Sequence, residues 1–485
     1  MESKLDKLLS NRKIVTLVYF LIILLATPIS LYWLVKVTFW IFATYIFWLV
    51  KDNLSNKKTS ISDWWLLLPF SILIGTRLLP FFRWPVMPLG ADYATYEKSF
   101  LICSQNQSWC PGNILTLVNH LFYSAGWSIN YLVPLLYIFL NVFVALALYI
   151  VVKEEFNKEA AFFSLIIFSI SSSQFLFYWS FYWKMMLALS FALIALYLLR
   201  KKSWLVIPIV ALIAPIHPAV YAVFVLIILL YWFFNKKKRF VLWSILAIVF
   251  LSLAIYGKEL LDLINLFFKN SLTIFYSNQP SADLSGHFIN FKLYRSLILI
   301  YLPFIVLGFI ESIRKKKSLS ILLLIVTFLL VISHFYFYNR FIILFDIAAI
   351  MIAGPILARF FNQLRPSLTG KTLLIVLLIT STYFAFYQSW LAEPLITTRE
   401  ELVEIKSLNE LKEVLVITDL RYYPIINRYY RGNFLEAYDP ESLIKILKNE
   451  EDVYIYIGQR TSTLQDVIIK KNLKPINKHI WHYQK

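Results

Sequence analysis

Asp92 is the residue of this chain best placed for acid–base chemistry, in the loop Gly90-Ala-Asp-Tyr-Ala-Thr-Tyr96. It follows the third apolar segment, so its carboxylate is expected at the mouth of a bundle of apolar helices. A carboxylate in that position can act as a general base that takes a proton from a hydroxyl group. Asp is also a preferred N-cap residue, so capping a helix that begins at Tyr93 is the structural alternative.

Three basic residues are candidates for holding an anionic group, and each lies at a predicted end of an apolar segment. Lys184 follows an aromatic run, His217 lies between Pro215 and Pro218, and Arg340 begins the segment Arg340-Phe-Ile-Ile. Cationic side chains bind phosphate by charge-assisted hydrogen bonds, and a guanidinium can do so with two parallel bonds. Each has a structural alternative: a lysine at the membrane interface, a hydrogen-bonded histidine, and an interfacial anchor or a partner of Asp346 for Arg340.

Two loops carry further reactive groups. The loop 257–292 contains a polar, turn-rich stretch, 279–288, with Asp283 and His287, and the length of the loop fits a mobile loop that closes over a substrate. His287 is a further candidate for binding a phosphate or sugar, whereas two residues without a third are a weak metal site. Cys103 and Cys110 are the cysteines of the chain, and we predict that they form a disulfide if their loop faces an oxidising compartment.

The composition identifies the class of protein that must position these residues. The chain has 485 residues, of which 59% are hydrophobic and 15% charged, as expected of a polytopic membrane protein. The net charge of +19 resides mainly in short basic clusters between apolar runs, such as 236–239 and 314–317. The positive-inside rule explains that pattern, so nucleic acid is excluded as a partner and the lipid bilayer is expected.

Apolar segments predict an all-α polytopic bundle of about 13 transmembrane helices. They lie at 14–35, 37–50, 64–82, 131–152, 160–178, 184–199, 204–215, 219–234, 240–256, 293–312, 318–333, 341–361 and 372–392. The basic clusters fall in alternate loops, which predicts a cytoplasmic N-terminus and an extracytoplasmic C-terminus. Asp92, Lys184, His217, His287 and Arg340 then share the outer side, with Asp92 in the outer loop 83–130 and His287 in the outer loop 257–292.

The chain divides into a predicted transmembrane domain, 1–392, and a small soluble domain, 393–485, outside the membrane. In the second, residues 414–418 and 453–458 read as buried strands, and a helix begins at Asp439-Pro and ends near Asn449. A second helix is expected after Thr463. The alternation of strands and helices predicts a small α/β domain, which lacks a glycine-rich phosphate loop.

These features together resemble the GT-C superfamily of integral membrane glycosyltransferases. The resemblance rests on Gly90-Ala-Asp-Tyr93 in an outer loop, on the run Lys184-Met-Met-Leu, on His217-Pro218, and on 339–354 near the end of the bundle. It implies a polyprenyl- or dolichyl-phosphate sugar donor, a glycan, lipid or protein acceptor, and an acidic loop residue, here Asp92, as base. The nearest second acid is Glu97, so the resemblance leaves a divalent metal, Mg²⁺ or Mn²⁺, open as cofactor.

Two other classes of membrane protein remain as alternatives. The spacing of Gly90, Asp92 and Tyr96 also resembles a loop of polymerases and ligases of surface polysaccharide, such as O-antigen or exopolysaccharide. A transporter would instead line its path with Arg77, Lys184 and Asp346.

The activity expected from the resemblance to GT-C glycosyltransferases is inverting transfer of a sugar on the outer side of the cell membrane.

Overall fold

The protein is described here by a computed structural model. It describes residues 11–484 apart from 52–60, 85–125, 127–128, 181, 235–238, 255–256, 258–264, 266–288, 290, 315–317, 334–337, 393–397, 412–413, 420–421, 423–424, 427–428, 438–439 and 459–472. The described chain forms two compact units. The first comprises Met1–Leu79, Leu135–Tyr178 and Tyr182–Trp390, and the second comprises Pro80–Pro134, Trp179–Phe181 and Leu391–Lys485.

Apolar helices fill the first unit and extend into the adjoining segments. In chain order they are α1 (Arg12–Ala26), α2 (Trp33–Lys51), α3 (Leu67–Arg83, preceded by a 3₁₀ turn at Asp63–Leu66), α4 (Ile129–Glu155), α5 (Lys158–Ile170), α6 (Ser172–Trp179), α7 (Trp183–Arg200), α8 (Val206–Ile216), α9 (Pro218–Phe234), α10 (Arg239–Ala254), α11 (Phe291–Leu297), α12 (Leu302–Arg314), α13 (Ser318–Ile332), α14 (Tyr338–Leu364) and α15 (Leu368–Leu391). Twelve of the thirteen predicted apolar segments overlap one of these helices or a bent pair, whereas the segment 14–35 is wrong as a single span, because α1 ends at Ala26 and α2 begins at Trp33.

Six described helices are long and apolar enough to cross a membrane, or up to eight if each bent pair counts as one span. The bent pairs are α5 with α6, which meet at 57°, and α11 with α12, which meet at 97°. Helices α8, α9, α10 and α13 are apolar but shorter. The structure therefore supports a polytopic membrane protein, while a total of about 13 spans and the side on which each terminus lies stay predictions from the sequence.

Helix α14 forms the centre of the bundle and packs against α5, α12 and α13. Its residues from Phe341 to Leu344 and from Asp346 to Ala353 are buried. Two glycines let neighbouring backbones approach, because a Cβ at Gly308 would collide with the Ile352 carbonyl and one at Gly354 with Ser164. Small residues at helix contacts are typical of membrane bundles, where close backbone packing stabilises the association of helices.

A mixed five-stranded sheet forms the core of the C-terminal part of the second unit, with the strand order β2-β1-β3-β5-β4. The strands are β1 (Leu415–Asp419), β2 (Phe434–Ala437), β3 (Asp452–Tyr456), β4 (Lys474–Pro475) and β5 (Ile480–Gln484). Strand β1 pairs in parallel with β2 and β3, whereas β5 is antiparallel to β3 and β4. Both predicted strands are present within a residue or two. The helix α17 (Pro440–Asn449) has the predicted bounds.

Helix α16 (Arg399–Ser407) precedes this sheet and begins with a capping box. The Thr398 side chain accepts from the Glu401 backbone N–H, and the Glu401 carboxylate accepts from the Thr398 N–H. The same carboxylate accepts from the Tyr422 hydroxyl at 3.0 Å. The sequence did not reveal α16, β2, or the hairpin of β4 and β5, and the helix expected after Thr463 lies outside the described residues.

Candidate active site

The structure describes three of the predicted site residues. Lys184, His217 and Arg340 are described, whereas Asp92, His287, Cys103 and Cys110 lie outside the described residues. The roles of Asp92 and His287 and the disulfide therefore stay predictions.

Lys184 is the second residue of α7 and is half-buried. The helix begins after Tyr182, whose backbone is not helical, and the neighbouring Trp183 and Met185 are buried. The ammonium group is thus carried by the first turn of a helix. The N–H groups and the positive end of the helix dipole at such a terminus favour an anion.

His217 forms the junction between α8 and α9. Pro218 lacks an N–H and restricts the residue before it, so His217 is extended, with φ −155° and ψ 92°. Its Nδ1 accepts a hydrogen bond from the Val220 N–H at 3.3 Å, at the start of α9. A neutral imidazole that accepts at Nδ1 carries its hydrogen at Nε2, which leaves Nε2 as a donor.

Arg340 lies in the first turn of α14, and its guanidinium carbon is 5.6 Å from the centre of the Tyr182 ring. That ring belongs to the residue that caps α7, so the cation–π contact connects the start of α14 to the start of α7. The positive charges of Arg340 and Lys184 both act on the imidazole of His217. The structure thus brings together three residues that are distant in sequence, each at or beside the N-terminal end of a helix.

Such an arrangement of positive charge favours the binding of an anion. Two permanent cations and a neutral N–H donor can hold a phosphate and stabilise negative charge that develops on it. Since these groups are fixed by helix ends and by a junction with two prolines, little reorganisation is needed when the charge appears.

A second polar cluster surrounds Asp346, which is fully buried in α14. Its carboxylate accepts four hydrogen bonds from neutral donors. They come from Ser173 Oγ at 2.8 Å, Gln174 Nε2 at 2.5 Å, Tyr294 Oη at 2.9 Å and Tyr301 Oη at 2.8 Å. These groups, rather than Arg340, are the hydrogen-bond partners of Asp346 in the described part of the chain.

The Asp346 cluster lies where both bent helix pairs change direction. Ser171 separates α5 from α6, and its hydroxyl is 2.8 Å from that of Ser173. Tyr301 lies between α11 and α12 and is also within 3.0 Å of the Ser173 hydroxyl. Helix breaks at membrane depth require side chains that satisfy the freed backbone and fix the bend. The polar run Ser171-Ser-Ser-Gln174 within an apolar segment is the sequence signal that could have revealed it.

We expect Asp346→Ala to lower the free energy of unfolding by about 1–3 kcal/mol, because the carboxylate that fixes both bends is lost and its donors remain buried. The measurement is denaturant unfolding of the purified protein in mixed micelles. Ser169→Ala is the control, since the described bond of this buried hydroxyl is to Leu165 O of its own helix. Equal stability of the two variants would contradict a role for Asp346 in fixing the bends.

Arg77 of α3 is buried and has neutral partners. Its Nε donates to Asn141 Oδ1 at 3.2 Å and its Nη1 to Thr76 Oγ1 at 3.1 Å. Its guanidinium carbon lies 5.4 Å from the ring centres of both Phe175 and Tyr178. Cation–π contacts stabilise a desolvated guanidinium. This geometry places Arg77 in a buried polar network with Asn141 and Thr76.

A metal is the one cofactor left open by the sequence. Among the described residues, no group of three His, Cys, Asp or Glu side chains could hold a metal ion. Asp92, Asp283 and His287 lie outside the described residues. A divalent metal therefore stays a prediction from the sequence, and no step below is assigned to it.

Comparison with solved structures identifies the fold. The archaeal oligosaccharyltransferase AglB from Archaeoglobus fulgidus, in complex with an inhibitory peptide and a dolichol-phosphate, is similar with a TM-score of 0.50 and 14% identity, over 87% of this chain and 74% of that chain. The apo form of the Archaeoglobus fulgidus enzyme has a TM-score of 0.49 and 15% identity over 81% and 70% of the two chains. The complex of that enzyme with Zn and sulfate has a TM-score of 0.48 and 14% identity, over 84% of this chain and 69% of that chain.

No protein-family model matches the sequence, and no curated protein is similar enough to count as a relative. At 14% identity the likeness shows the fold alone, which is that of the oligosaccharyltransferase AglB.

Proposed function

We propose that the protein is a membrane glycosyltransferase that transfers a sugar from a polyprenyl- or dolichyl-phosphate donor to an acceptor on the extracytoplasmic side. The observation that carries the proposal is the grouping of Lys184, His217 and Arg340 at helix ends. The likeness in fold to AglB supports it, since AglB is an oligosaccharyltransferase solved with dolichol-phosphate. A donor of this kind needs a cationic site for its phosphate, which leaves when the sugar is transferred.

The proposed reaction is an inverting displacement. Asp92 takes the proton of an acceptor hydroxyl, whose oxygen attacks the anomeric carbon of the sugar. The bond between that carbon and the phosphate oxygen breaks, and the lipid phosphate leaves with the bonding electrons. Lys184 and Arg340 stabilise the charge that gathers on the phosphate, and His217 donates through Nε2. His287, in the loop 257–292, is proposed to approach the bound sugar when that loop closes.

The size of the transferred group distinguishes two forms of this proposal. The AglB structure contains an inhibitory peptide, so an oligosaccharide donor and a protein acceptor are a specific second form. In both forms, residues 393–485 are proposed to form a separate domain outside the membrane that faces the acceptor. The C-terminus is then extracytoplasmic and the N-terminus cytoplasmic.

The test is a transfer assay with the purified protein in lipid vesicles. Radiolabelled polyprenyl-phosphate sugars and lipid-linked oligosaccharides are offered separately, with glycan, lipid and peptide acceptors, and the products are resolved by size. We expect one added sugar from the monosaccharide donors. Transfer of a single intact oligosaccharide to a peptide would select the second form.

Two outcomes would contradict the proposal. A ladder of repeat units would identify a polymerase of surface polysaccharide. Exchange of labelled substrate across the vesicle membrane, with no covalent product from any donor, would identify a transporter.

A further inference from the structure

An apolar groove lies in the helical unit, away from the three cationic site residues. Its volume is about 490 Å³, and its walls come from α2, α3, α5, α12, α14 and α15. Ile166, Phe304, Phe361 and Leu378 are typical of the lining. The volume is in the range of pockets that enclose small molecules. We call this cavity the Arg365 groove.

One end of the groove carries a positive charge. Arg365, directly after α14, lines the groove and is exposed. The rings of Phe361 and Phe163 are 5.1 Å apart, which places the Arg365 end beside the start of α5. No ion pair or side-chain hydrogen bond of Arg365 is found within the described ranges. Its guanidinium is therefore available to an anion, with the geometry that suits a phosphate.

Two acids lie near this end: Glu159, which accepts from Asn362 Nδ2 at 3.3 Å, and Asp63, which is paired with a lysine. Asp63 lies two residues from both Ile61 and Trp65, which line the groove. Its carboxylate forms an ion pair with Lys158 at 2.8 Å. The charge that Arg365 presents to a ligand is thus not cancelled by Asp63.

The depth of the groove matches one leaflet of a bilayer. Its lining on α5 runs from Phe162 to Ile170, and the eight helical rises of about 1.5 Å between these two residues span about 12 Å. One leaflet contributes about 15 Å of the roughly 30 Å hydrocarbon core. Ile375, which lines the groove, is 57% exposed, so the groove opens towards the lipid. A chain of leaflet length fits this depth, whereas a long polyprenyl chain exceeds it.

We infer that the Arg365 groove binds an anionic phospholipid of the bilayer, with one acyl chain between α5, α14 and α15 and the head-group phosphate at Arg365. The apolar walls enclose the acyl chain and separate it from the surrounding lipids. The guanidinium selects for negative charge at the head. This site is separate from the proposed transfer reaction, so its lipid is a structural ligand rather than the sugar donor.

The test compares two lipids with the same acyl chains. The full-length protein is delipidated and reconstituted with phosphatidylglycerol or phosphatidylcholine that carries a photoreactive group on one chain, and the labelled peptides are identified by mass spectrometry. We expect phosphatidylglycerol to label residues of the groove, including Ile166 and Leu378, well above phosphatidylcholine. Arg365→Gln should lower this labelling by about fivefold.

Two controls keep the outcome interpretable. Lys371→Gln removes another exposed charge of the same region outside the groove and should leave labelling unchanged. Ser381→Phe should reduce labelling by filling the groove, since Ser381 is part of its lining. Uniform labelling of all lipid-facing helices, equal labelling by the two lipids, or displacement of phosphatidylglycerol by equimolar polyprenyl phosphate would each overturn the inference.

Discussion

Asp92→Asn is expected to lower the rate of sugar transfer by about 10²–10⁴, the contribution typical of a general base. Asparagine has nearly the same shape as aspartate but cannot take up the proton of the acceptor hydroxyl. The variant should therefore insert and fold as the wild type does, and it should bind the donor. The measurement is kcat with the donor and acceptor that the wild-type protein uses, together with binding of the donor in the absence of acceptor.

Glu97→Gln is the matched control, because it removes a carboxylate from the same loop five residues away. Its rate should stay within a few-fold of the wild type if Asp92 alone is the base. The pH profile separates the base from a helix cap, since Asp92→Asn should lose the acidic limb that reports the base in the wild type. Wild-type transfer by a folded Asp92→Asn protein would contradict the role of Asp92 and favour capping.

The apolar pattern of the sequence determines most of the helical unit. A run of apolar residues predicts a buried or lipid-facing helix, and every predicted segment contains a helix in the structure, although 14–35 is interrupted between Ala26 and Trp33. The apolar pattern does not show whether a helix continues in one direction or bends. The segment 160–178 reads as one helix, yet the chain turns by 57° between α5 and α6. The number of apolar residues in a segment does not distinguish a straight span from a bent one.

The contacts of the polar residues were harder to predict, because their partners are distant in sequence. Asp346 and Arg340 are six residues apart on α14, which suggested a pair, but Asp346 instead accepts from donors on the two bent helix pairs. Arg340 lies over the Tyr182 ring, 158 residues earlier in the chain. Only the packing of the helices brings such groups together, and a single sequence carries no record of that packing.

Arg340→Gln is expected to lower kcat by about 10²–10³, with a much smaller rise in KM for the donor. The donor phosphate already carries charge in the ground state and gains more as the sugar departs. A cation beside it therefore stabilises the transition state more than the bound donor, which affects kcat rather than KM. Arg340→Lys keeps the charge but loses the planar fork, so its rate should be intermediate.

Lys36→Gln tests whether any cation predicted on the outer side has the same effect. Lys36 donates to Ile29 O at 2.6 Å and is not among the residues whose charge acts on His217. The Lys36→Gln variant should transfer sugar at the wild-type rate. An equal loss in both variants would mean that the general positive field matters, rather than the site formed by Lys184, His217 and Arg340. A rise in KM with unchanged kcat for Arg340→Gln would assign Arg340 to ground-state binding, because only an interaction that strengthens as the phosphate leaves can change kcat.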